Sequence, residues 1–436
     1  MQPKPGDRIK VETKDEVIEG ILMPRGEYQD ESIIVLKLNS GYNIGLNRED
    51  VSNIEVLRES GLAQKAERKE VKHNPKLPTI SILHTGGTIA SKVDYRTGAV
   101  FSSFTPEDLL EQFPELAKIA NFSSELVSNM WSDDLRFKHF EVIAKAVEKE
   151  VKKGVEGIII GMGTDNLAVA AAALAFIVEE TPVPIILVGA QRSSDRGSSD
   201  AYMNLVCAAE FIAKSDFAGV AICMHEKPDD DVAALFPAAK TRKMHASRRD
   251  AFKAVNDTII ARVHYDSRKI EFVKKDYTRK DKARKIVIKP AMEEKVGLLK
   301  IHINMFPEQF SFFKGYKGLV IEGTGLGHTP GHMPNEIARI HLKIFPAIKE
   351  VIDSGCVVVM TSQTIFGRVN MHVYNKAVDL AQLGVIPGED MLAETALVKL
   401  SWLLANYPVE EVKRLIGQNL RGEINSRITT DEFLDE

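Results

Sequence analysis

Short apolar runs alternate with helical patterns along most of this chain, and that alternation limits the fold more than any other feature. After residue 78 the runs are Thr79 to Leu83, Gly157 to Ile160, Pro184 to Val188 and Gly219 to Met224. Helical patterns follow a Thr105-Pro106 start and cover about 138–152, 166–178 and 200–213. Continuous apolar strands separated by helices predict a parallel sheet covered on both faces, and therefore an α/β fold.

A second alternating block begins after a less regular, basic stretch. Its predicted strands are 296–301, 318–321 and 356–360, and its predicted helices are 335–350, 370–383, 394–405 and 409–416. We expect a large α/β domain over 78–265, a basic connecting segment over 266–292 and a smaller α/β domain over 293–436.

The first 60 residues have a different sequence pattern. Short alternating runs lie near residues 7–11, 17–22, 32–38 and 42–46, separated by turns rich in Gly, Asn and Pro. Closely spaced strands of this kind predict a small β-barrel, SH3-like in size, over 1–60. Residues 61–77 are charged and nearly free of large apolar groups, so we expect a linker there.

Composition excludes several classes of protein. The 436 residues are 44% hydrophobic and 27% charged, as in ordinary globular domains. The longest apolar run, Leu167 to Val178, is shorter than the roughly 18 residues that span a bilayer, and the N-terminus lacks the apolar core of a secretory signal. Three distant cysteines are expected to be buried thiols in a reducing cytoplasm. A net charge of −4 argues against a surface that binds nucleic acid throughout.

Two predicted strands are followed by loops rich in glycine and threonine. The segment 84–91 reads HTGGTIAS, and 161–166 reads GMGTDN. Ligands of open parallel sheets bind beyond the carboxyl ends of the strands, where both loops should lie. The glycines allow close backbone approach, and free N–H groups there can hold a developing oxyanion. A structural interpretation also stands, because such loops end strands and threonine and aspartate commonly cap helices.

A threonine hydroxyl is a weak nucleophile and requires a base or a proton relay. The chain has no Gly-x-Ser-x-Gly elbow, which argues against a serine hydrolase. A lysine held by a carboxylate can take the role of base. The segment 239–252 offers Lys240 and Lys243. Composition does not choose between them and rates either one as a surface charge.

Three motifs, taken in order and at suitable distances, resemble the L-asparaginase family. They are Thr85-Gly86-Gly87-Thr88-Ile89-Ala90, then Gly163-Thr164-Asp165, then Lys243-x-x-Ala-Ser-Arg-x-Asp-Ala-Phe252. The resemblance covers about residues 78–420 and includes EGTGLGHTP at 322–330 and GVIPGEDM at 384–391. It implies an asparaginase-like two-domain parallel-sheet α/β body behind the small N-terminal β-barrel.

The resemblance also implies roles for individual residues. Thr88 matches the family's nucleophile, and Tyr95 on the following loop matches its activating hydroxyl. Thr164, Asp165 and Lys243 match the second threonine and its relay. Lys243 is preferred because it keeps the family's spacing to Ala251-Phe252, so Lys240→Ala is not expected to abolish ammonia release. The implied substrate-binding residues are Gly87, Ser132, Asp133 and Gly163.

The implied reaction is amide hydrolysis through an acyl-enzyme, with no metal and no cofactor bound by this chain. One departure is Met162, where the family commonly has histidine. His328 falls where a neighbouring copy of the chain supplies a binding group in the family.

A barrel before an asparaginase-like body is similar to the D subunits of archaeal glutamyl-tRNA(Gln) amidotransferases. That resemblance implies a glutaminase or asparaginase that releases ammonia from glutamine or asparagine within a larger complex. It implies a partner, the E subunit, that uses ATP and Mg to convert Glu-tRNA(Gln) to Gln-tRNA(Gln). It also implies a homodimer through the asparaginase-like body, and tRNA(Gln) bound through the complex. The alternatives are a stand-alone cytoplasmic L-asparaginase and a non-catalytic scaffold that docks RNA.

The basic segment adds one open question. Residues 267–289 carry 10 Lys or Arg against 3 acids, with Phe272 and Tyr277 among them. Such a segment can contact RNA phosphates or an acidic partner, and it can equally be a solvated loop.

Overall fold

The structure is a computed structural model of the 436-residue chain. It describes residues 3–23, 32–38, 43–59, 73–86, 91–93, 100–102, 114–192, 199–430 and 433.

The N-terminal unit is a five-stranded antiparallel sheet with its own small core. Its strands are β1 (Arg8–Thr13), β2 (Val17–Leu22), β3 (Ile33–Lys37), β4 (Asn43–Asn47) and β5 (Val51–Arg58), in the order β4-β3-β2-β1-β5. The buried side chains of Ile9, Val11, Ile18, Ile34 and Leu36 form that core. Closure of this sheet into an SH3-like barrel stays a prediction.

Strand β5 was not predicted from the sequence. Its pairing with β1 shifts register at both ends, between Arg8 and Ile9 and between Glu12 and Thr13. Such irregularities break the two-residue alternation on which strand prediction depends. Strand β5 also buries none of its residues fully, so its apolar pattern is weak.

The large α/β domain is built on an eight-stranded mixed sheet, in the order β18-β17-β14-β13-β12-β10-β6-β9. Strands β9, β6, β10, β12 and β13 are parallel, and β14, β17 and β18 continue the sheet antiparallel. The described strands are β6 (Thr79–His84), β7 (Ser91–Val93), β8 (Val100–Ser102), β9 (Asn121–Leu126), β10 (Gly157–Gly161), β11 (Val178–Glu180), β12 (Pro184–Val188), β13 (Gly219–His225), β14 (Val232–Pro237), β15 (Thr241–Lys243), β16 (Phe252–Ala254), β17 (Ala261–His264), β18 (Ile270–Phe272) and β19 (Val287–Ile288).

Helices cover both faces of this sheet, as the alternating pattern predicts. They are α1 (Phe137–Lys152), α2 (Leu167–Ile177) and α3 (Ala201–Lys214). Helices α1 and α2 pack with one face of the sheet in one core, and α3 packs on the other face. Short 3-10 helices lie at Arg48–Asp50, Pro114–Lys118 and Ser132–Asp134.

The small α/β domain has a four-stranded parallel sheet. Its elements are β20 (Val296–Lys300), α4 (Pro307–Ser311), β21 (Gly318–Gly323), a 3-10 helix (Glu336–Lys343), α5 (Ile344–Asp353), β22 (Val357–Ser362), α6 (Asn375–Leu383), β23 (Ile386–Pro387), α7 (Ala393–Asn406) and α8 (Val409–Leu415). Helix α7 packs between this sheet and α2 of the large domain, so the two domains share one hydrophobic core. Phe176 of α2 stacks on Trp402 of α7, with ring centroids 5.9 Å apart.

Two differences from the sequence prediction have physical causes. The expected helix at 335–350 is a 3-10 helix followed by α5. Pro346 lies in the first turn of α5, and its missing N–H prevents regular α hydrogen bonding from continuing across the junction. The segment predicted as a basic connection contributes β18 to the edge of the large sheet, and β19 pairs with β11.

The three cysteines are free thiols in buried positions, which confirms their predicted burial. Burial raises the pKa of Cys207 to about 12 and that of Cys356 to about 12. Across the described ranges, no helix has the length and apolar character to cross a bilayer.

Candidate active site

Four neighbouring parallel strands end at the same edge of the large sheet. They are β9, β6, β10 and β12, in that spatial order. The loops that follow β9, β6 and β10 carry Ser132 and Asp133, Thr85 and Gly86, and the segment Gly163 to Asp165. The described parts of these hydroxyl-bearing loops therefore lie together at the carboxyl ends of the strands, the place where open parallel sheets form a ligand-binding crevice.

The loops after β6 and β9 are joined by backbone hydrogen bonds. The Met130 amide donates to the Thr85 carbonyl at 3.0 Å, and the Thr85 amide donates to the Gly161 carbonyl at 3.0 Å. Gly86 has φ +100°, and a Cβ there would lie 2.6 Å from the Met130 carbonyl oxygen. Any side chain at residue 86 would therefore separate the two loops. The predicted residues Gly87, Thr88 and Tyr95 lie outside the described residues.

Ser132 connects the loop after β9 to the loop after β10. Its side chain is buried, and a Cβ added to Gly163 would lie 2.9 Å from its Oγ. The Asn166 side-chain amide donates to the Ser132 carbonyl at 2.8 Å. Asp133 follows at an exposed position. Ser132 and Gly163 are thus in direct contact, and Asp133 is open to solvent beside them.

Lys243 joins the two polar groups that the motif 163–165 presents. Its Nζ donates to Thr164 Oγ1 at 3.0 Å and to Asp165 Oδ1 at 2.7 Å. The lysine side chain is 14% exposed, whereas that of Asp165 is 69% exposed. This arrangement can move a proton at the Thr164 hydroxyl, because the carboxylate holds the amine within hydrogen-bond reach of that oxygen.

A two-stranded hairpin, β15 and β16, carries Lys243 to this position. Lys243 is opposite Phe252 in the ladder, and the Met244 amide donates to the Ala251 carbonyl at 2.6 Å. Phe252 is fully buried in the core that α1 and α2 share. The spacing from Lys243 to Ala251-Phe252 is therefore the spacing of two strands of one hairpin, in which the buried Phe252 side chain anchors the strand opposite Lys243.

Lys240 is buried in the protein interior. The prediction from composition that it is a surface charge is therefore wrong. Its side chain is completely buried and donates to Asp390 Oδ2 at 2.5 Å. Burial lowers the pKa of Lys240, and the Asp390 carboxylate offsets part of that shift. The buried environment accepts the lysine only because its charge is paired. Lys240 therefore does not face the crevice, in contrast with Lys243.

Sequence reasoning missed two residues of this region. Asn166 fixes the Ser132 backbone, and Asp390 neutralises Lys240. Asp390 lies inside the GVIPGEDM motif at 384–391, which was one available signal. Met162, at the position where the family commonly has histidine, is buried. His328 lies beside Tyr374, with ring centroids 5.3 Å apart, and burial lowers its pKa.

Four of the ten Lys and Arg side chains in the basic segment 267–289 form ion pairs with carboxylates elsewhere in the described chain. Arg268 pairs with Glu115, Lys274 with Asp257, Arg279 with Asp216 and Lys289 with Glu179. Phe272 and Tyr277 stack on each other at 4.5 Å and pack against the core under α3. These two rings are partly buried and support the fold of the large domain.

Among the residues that the structure describes, no cluster of three or more His, Cys, Asp or Glu side chains could hold a metal ion. The polar groups of the crevice are instead hydroxyls, one lysine and carboxylates. This set suits proton transfer and covalent catalysis by an oxygen nucleophile.

Comparison with known proteins identifies the family to which the chain is similar. The family models that match are "Asparaginase, N-terminal" over residues 79–277, "Glutaminase/Asparaginase C-terminal domain" over 295–416 and "GatD N-terminal domain" over 3–57. Among solved structures, the thermostable L-asparaginase from Thermococcus kodakarensis is 26% identical, with a TM-score of 0.69, and the match covers 80% of this chain and 100% of that one. L-asparaginase I from Vibrio cholerae is 27% identical, with a TM-score of 0.67, covering 80% and 99%. These matches confirm the expected asparaginase-like two-domain fold.

The curated relatives extend over nearly the whole chain. The D subunit of glutamyl-tRNA(Gln) amidotransferase from Pyrococcus furiosus is 44% identical over 431 residues, covering 98% of this chain and 95% of the relative. The protein of the same name from Methanococcus maripaludis strain C6 is also 44% identical, covering 98% and 99%. The N-terminal sheet, which the asparaginase models leave unmatched, is thus part of the shared architecture. This chain belongs to the D-subunit family of the glutamyl-tRNA(Gln) amidotransferases.

Proposed function

We propose that this chain is the ammonia-releasing subunit of a tRNA-dependent amidotransferase. It hydrolyses the side-chain amide of glutamine, or of asparagine, and the ammonia serves a partner that converts Glu-tRNA(Gln) to Gln-tRNA(Gln). The observation that carries the proposal is the contact of Lys243 with both Thr164 and Asp165, at the edge of the sheet where Ser132 and Gly163 meet. A scaffold without catalysis has no need for an amine held against a threonine hydroxyl.

The proposed reaction has two stages. The Thr88 oxygen attacks the amide carbon while its proton passes to the Tyr95 hydroxyl. Tyr95 gives its own proton to the amide nitrogen, so that the C–N bond breaks and ammonia leaves. Water then cleaves the resulting ester, which returns the Thr88 hydroxyl and releases glutamate or aspartate. The Thr164–Asp165–Lys243 relay moves a proton at the Thr164 hydroxyl during these steps. Ser132, Asp133, Gly87 and Gly163 hold the α-amino and α-carboxylate groups and the amide.

The proposal also covers the assembly. The partner is the E subunit, which binds ATP and Mg, tRNA(Gln) is held by the complex, and two copies of this chain form a homodimer through the asparaginase-like body. The complex works in the cytoplasm. The match of residues 3–57 to the GatD N-terminal domain supports an amidotransferase over a stand-alone asparaginase. The two solved asparaginases are matched over 100% and 99% of their own length but cover only 80% of this chain, so part of this chain has no counterpart in them.

An assay of ammonia release tests the proposal. Glutamine and asparagine are each supplied to the chain alone, to the chain with its partner, and to the complex with charged tRNA. Glutamine turnover that depends on the partner and the tRNA supports the amidotransferase. Rapid asparagine hydrolysis by the chain alone indicates a free asparaginase, and no turnover under any condition indicates a scaffold.

The nucleophile is tested in the same assay with Thr88→Ala. We expect ammonia release to fall to background while the protein remains folded, because the hydroxyl is a reactant. The matched control is Thr258→Ala, which removes the hydroxyl of an exposed threonine in the same domain and should leave the rate unchanged. Full activity of Thr88→Ala would rule out the proposed nucleophile.

A further inference from the structure

The hairpin that carries Lys243 is a small ribbon with little support of its own. Strands β15 and β16 form a separate two-stranded sheet of three residue pairs. Ribbons of this size are marginally stable in isolation and depend on tertiary contacts. The position of Lys243 is therefore set by whatever holds the ribbon, and not only by its own hydrogen bonds.

The small domain holds the base of this ribbon through one short segment, residues 390–395. Lys240 Nζ donates to the Asp390 carboxylate at 2.5 Å and to the Asp390 carbonyl at 3.2 Å. The Thr395 hydroxyl donates to the Ala239 carbonyl at 3.0 Å. Arg242 forms an ion pair with Glu394 at 3.3 Å. The start of the ribbon is thus tied at several points to the beginning of α7.

Asp390 is fixed on its other sides as well. Its carboxylate accepts the Asn425 amide at 3.1 Å and an Arg368 guanidinium N–H at 3.4 Å. Its carbonyl accepts the Asn256 side-chain amide at 3.2 Å, from the residue that follows the ribbon by two. The carboxylate therefore cannot move toward Lys240 or away from it without breaking several directed bonds.

We propose that the small domain positions Lys243 through the Lys240–Asp390 ion pair, so that both members of the pair act as positioning residues for the proton relay. This inference rests on the proposed function, because it takes Lys243 as part of the relay. Thr241 and Arg242 separate the two lysines, and three steps of extended chain span roughly 10 Å. Because this segment is short and extended, a shift of the backbone at the base of the ribbon also moves the Lys243 amine that contacts Thr164.

A second buried ion pair provides the matched comparison. Lys399 of α7 lies 2.6 Å from Glu423, and both side chains are fully buried, as are those of Lys240 and Asp390. The Lys399 amine also donates to the carbonyls of Ile416 and Gln418. Its hydrogen bonds go to the C-terminal segment and not to the ribbon. The same substitution at the two lysines therefore separates loss of stability from loss of positioning.

The test compares Lys240→Met with Lys399→Met in the assembled complex, with Lys240→Arg as the conservative variant. We measure kcat, KM and the pH profile of ammonia release, together with urea denaturation. Both methionine variants should lose stability. Only Lys240→Met should lower kcat, by about ten- to a hundred-fold, with KM changed less than about threefold and the midpoint of the pH profile displaced. Lys240→Arg should recover part of kcat.

Four results bear on the inference or on the proposed function on which it rests. Unchanged kcat and an unchanged pH profile for Lys240→Met overturn it, and so does an equal loss of kcat in Lys399→Met. If Lys240→Met does not fold, the double variant Arg242→Gln with Thr395→Val removes the two flanking contacts instead. It should lower kcat about threefold, and wild-type kcat in that variant overturns the inference. Absence of ammonia release from the wild-type complex would instead contradict the proposed function.

Discussion

The tip and the base of one short hairpin place two lysines in opposite environments. At the tip, Lys243 contacts a carboxylate that is 69% exposed and a threonine hydroxyl at the edge of the crevice. At the base, Lys240 contacts a carboxylate that is fully buried between the two domains. Each amine makes a short contact with an aspartate, so the chemistry of the pair does not distinguish them. The difference lies in what surrounds each pair, and therefore in what each lysine can do.

A lysine that transfers protons must reach solvent or substrate and must lose its own charge during the cycle. Lys243 meets the first requirement, since it is partly exposed and its partner Asp165 is open to solvent. Lys240 meets neither, because it is buried, and removal of its charge would leave the buried Asp390 with only the more distant Arg368 as an ionic partner. The same residue type thus serves catalysis at one end of the hairpin and structure at the other.

The largest effect that tests this comparison is expected from Lys243→Ala. We expect ammonia release to fall by roughly 10²- to 10⁴-fold, the usual contribution of a positioned acid or base. The free energy of unfolding should change by less than about 1 kcal/mol, because the paired Asp165 is well exposed. Steady-state kinetics and urea denaturation measure the two quantities.

The control for Lys243→Ala is Lys253→Ala on the opposite strand of the hairpin. Lys253 donates to the Glu226 carbonyl at 3.0 Å, whereas the hydrogen bonds to Thr164 and Asp165 come from Lys243. Its removal should leave kcat within about twofold of the wild type. A deep loss of activity in Lys253→Ala, or activity retained in Lys243→Ala, would contradict the assignment of the relay.

A smaller effect on activity but a larger one on stability is expected from Lys240→Met. Removal of one partner of a buried ion pair typically costs about 3–5 kcal/mol, and Arg368, 3.4 Å from Asp390, offsets part of that cost. The urea midpoint should fall accordingly, with little change in the slope of the transition. A variant as stable as the wild type would show that Asp390 finds other partners or takes up a proton at little cost.

These two lysines also show how much of the fold and of the candidate site can be predicted from the sequence. The central strands β6, β10, β12 and β13, most helices and the loops at the strand ends follow from apolar runs and from glycine and threonine placed at strand ends, and all of these are local patterns. The choice of Lys243 over Lys240 came from the spacing to Ala251-Phe252 and could not come from composition. The burial of Lys240 depends on a partner 150 residues away, and no local pattern reports such a contact.

The smallest effect is expected from Asp250→Asn, in the loop that joins the two strands of the hairpin. Burial raises the pKa of Asp250, but the hydrogen bonds from Arg248 and the charges of Lys253 and Arg248 outweigh it. The net pKa therefore lies below the ordinary 3.8. A carboxylate with a lowered pKa in the folded state stabilises the protein above pH 3.8, and this stability is lost as pH falls through the folded pKa.

Asp250→Asn should therefore be less stable than the wild type by about 1 kcal/mol near pH 7, since Arg248 is more than half exposed and solvent weakens the pair. The gap in the free energy of unfolding should stay constant down to about pH 5 and close below 3.8. Denaturation curves at a series of pH values measure it, and the relay should keep its rate within about threefold because Met244 and Ala251 still close the ladder. A gap that persists at about pH 2 would mean that hydrogen bonding by the Asp250 carboxyl group, and not its charge, holds the loop.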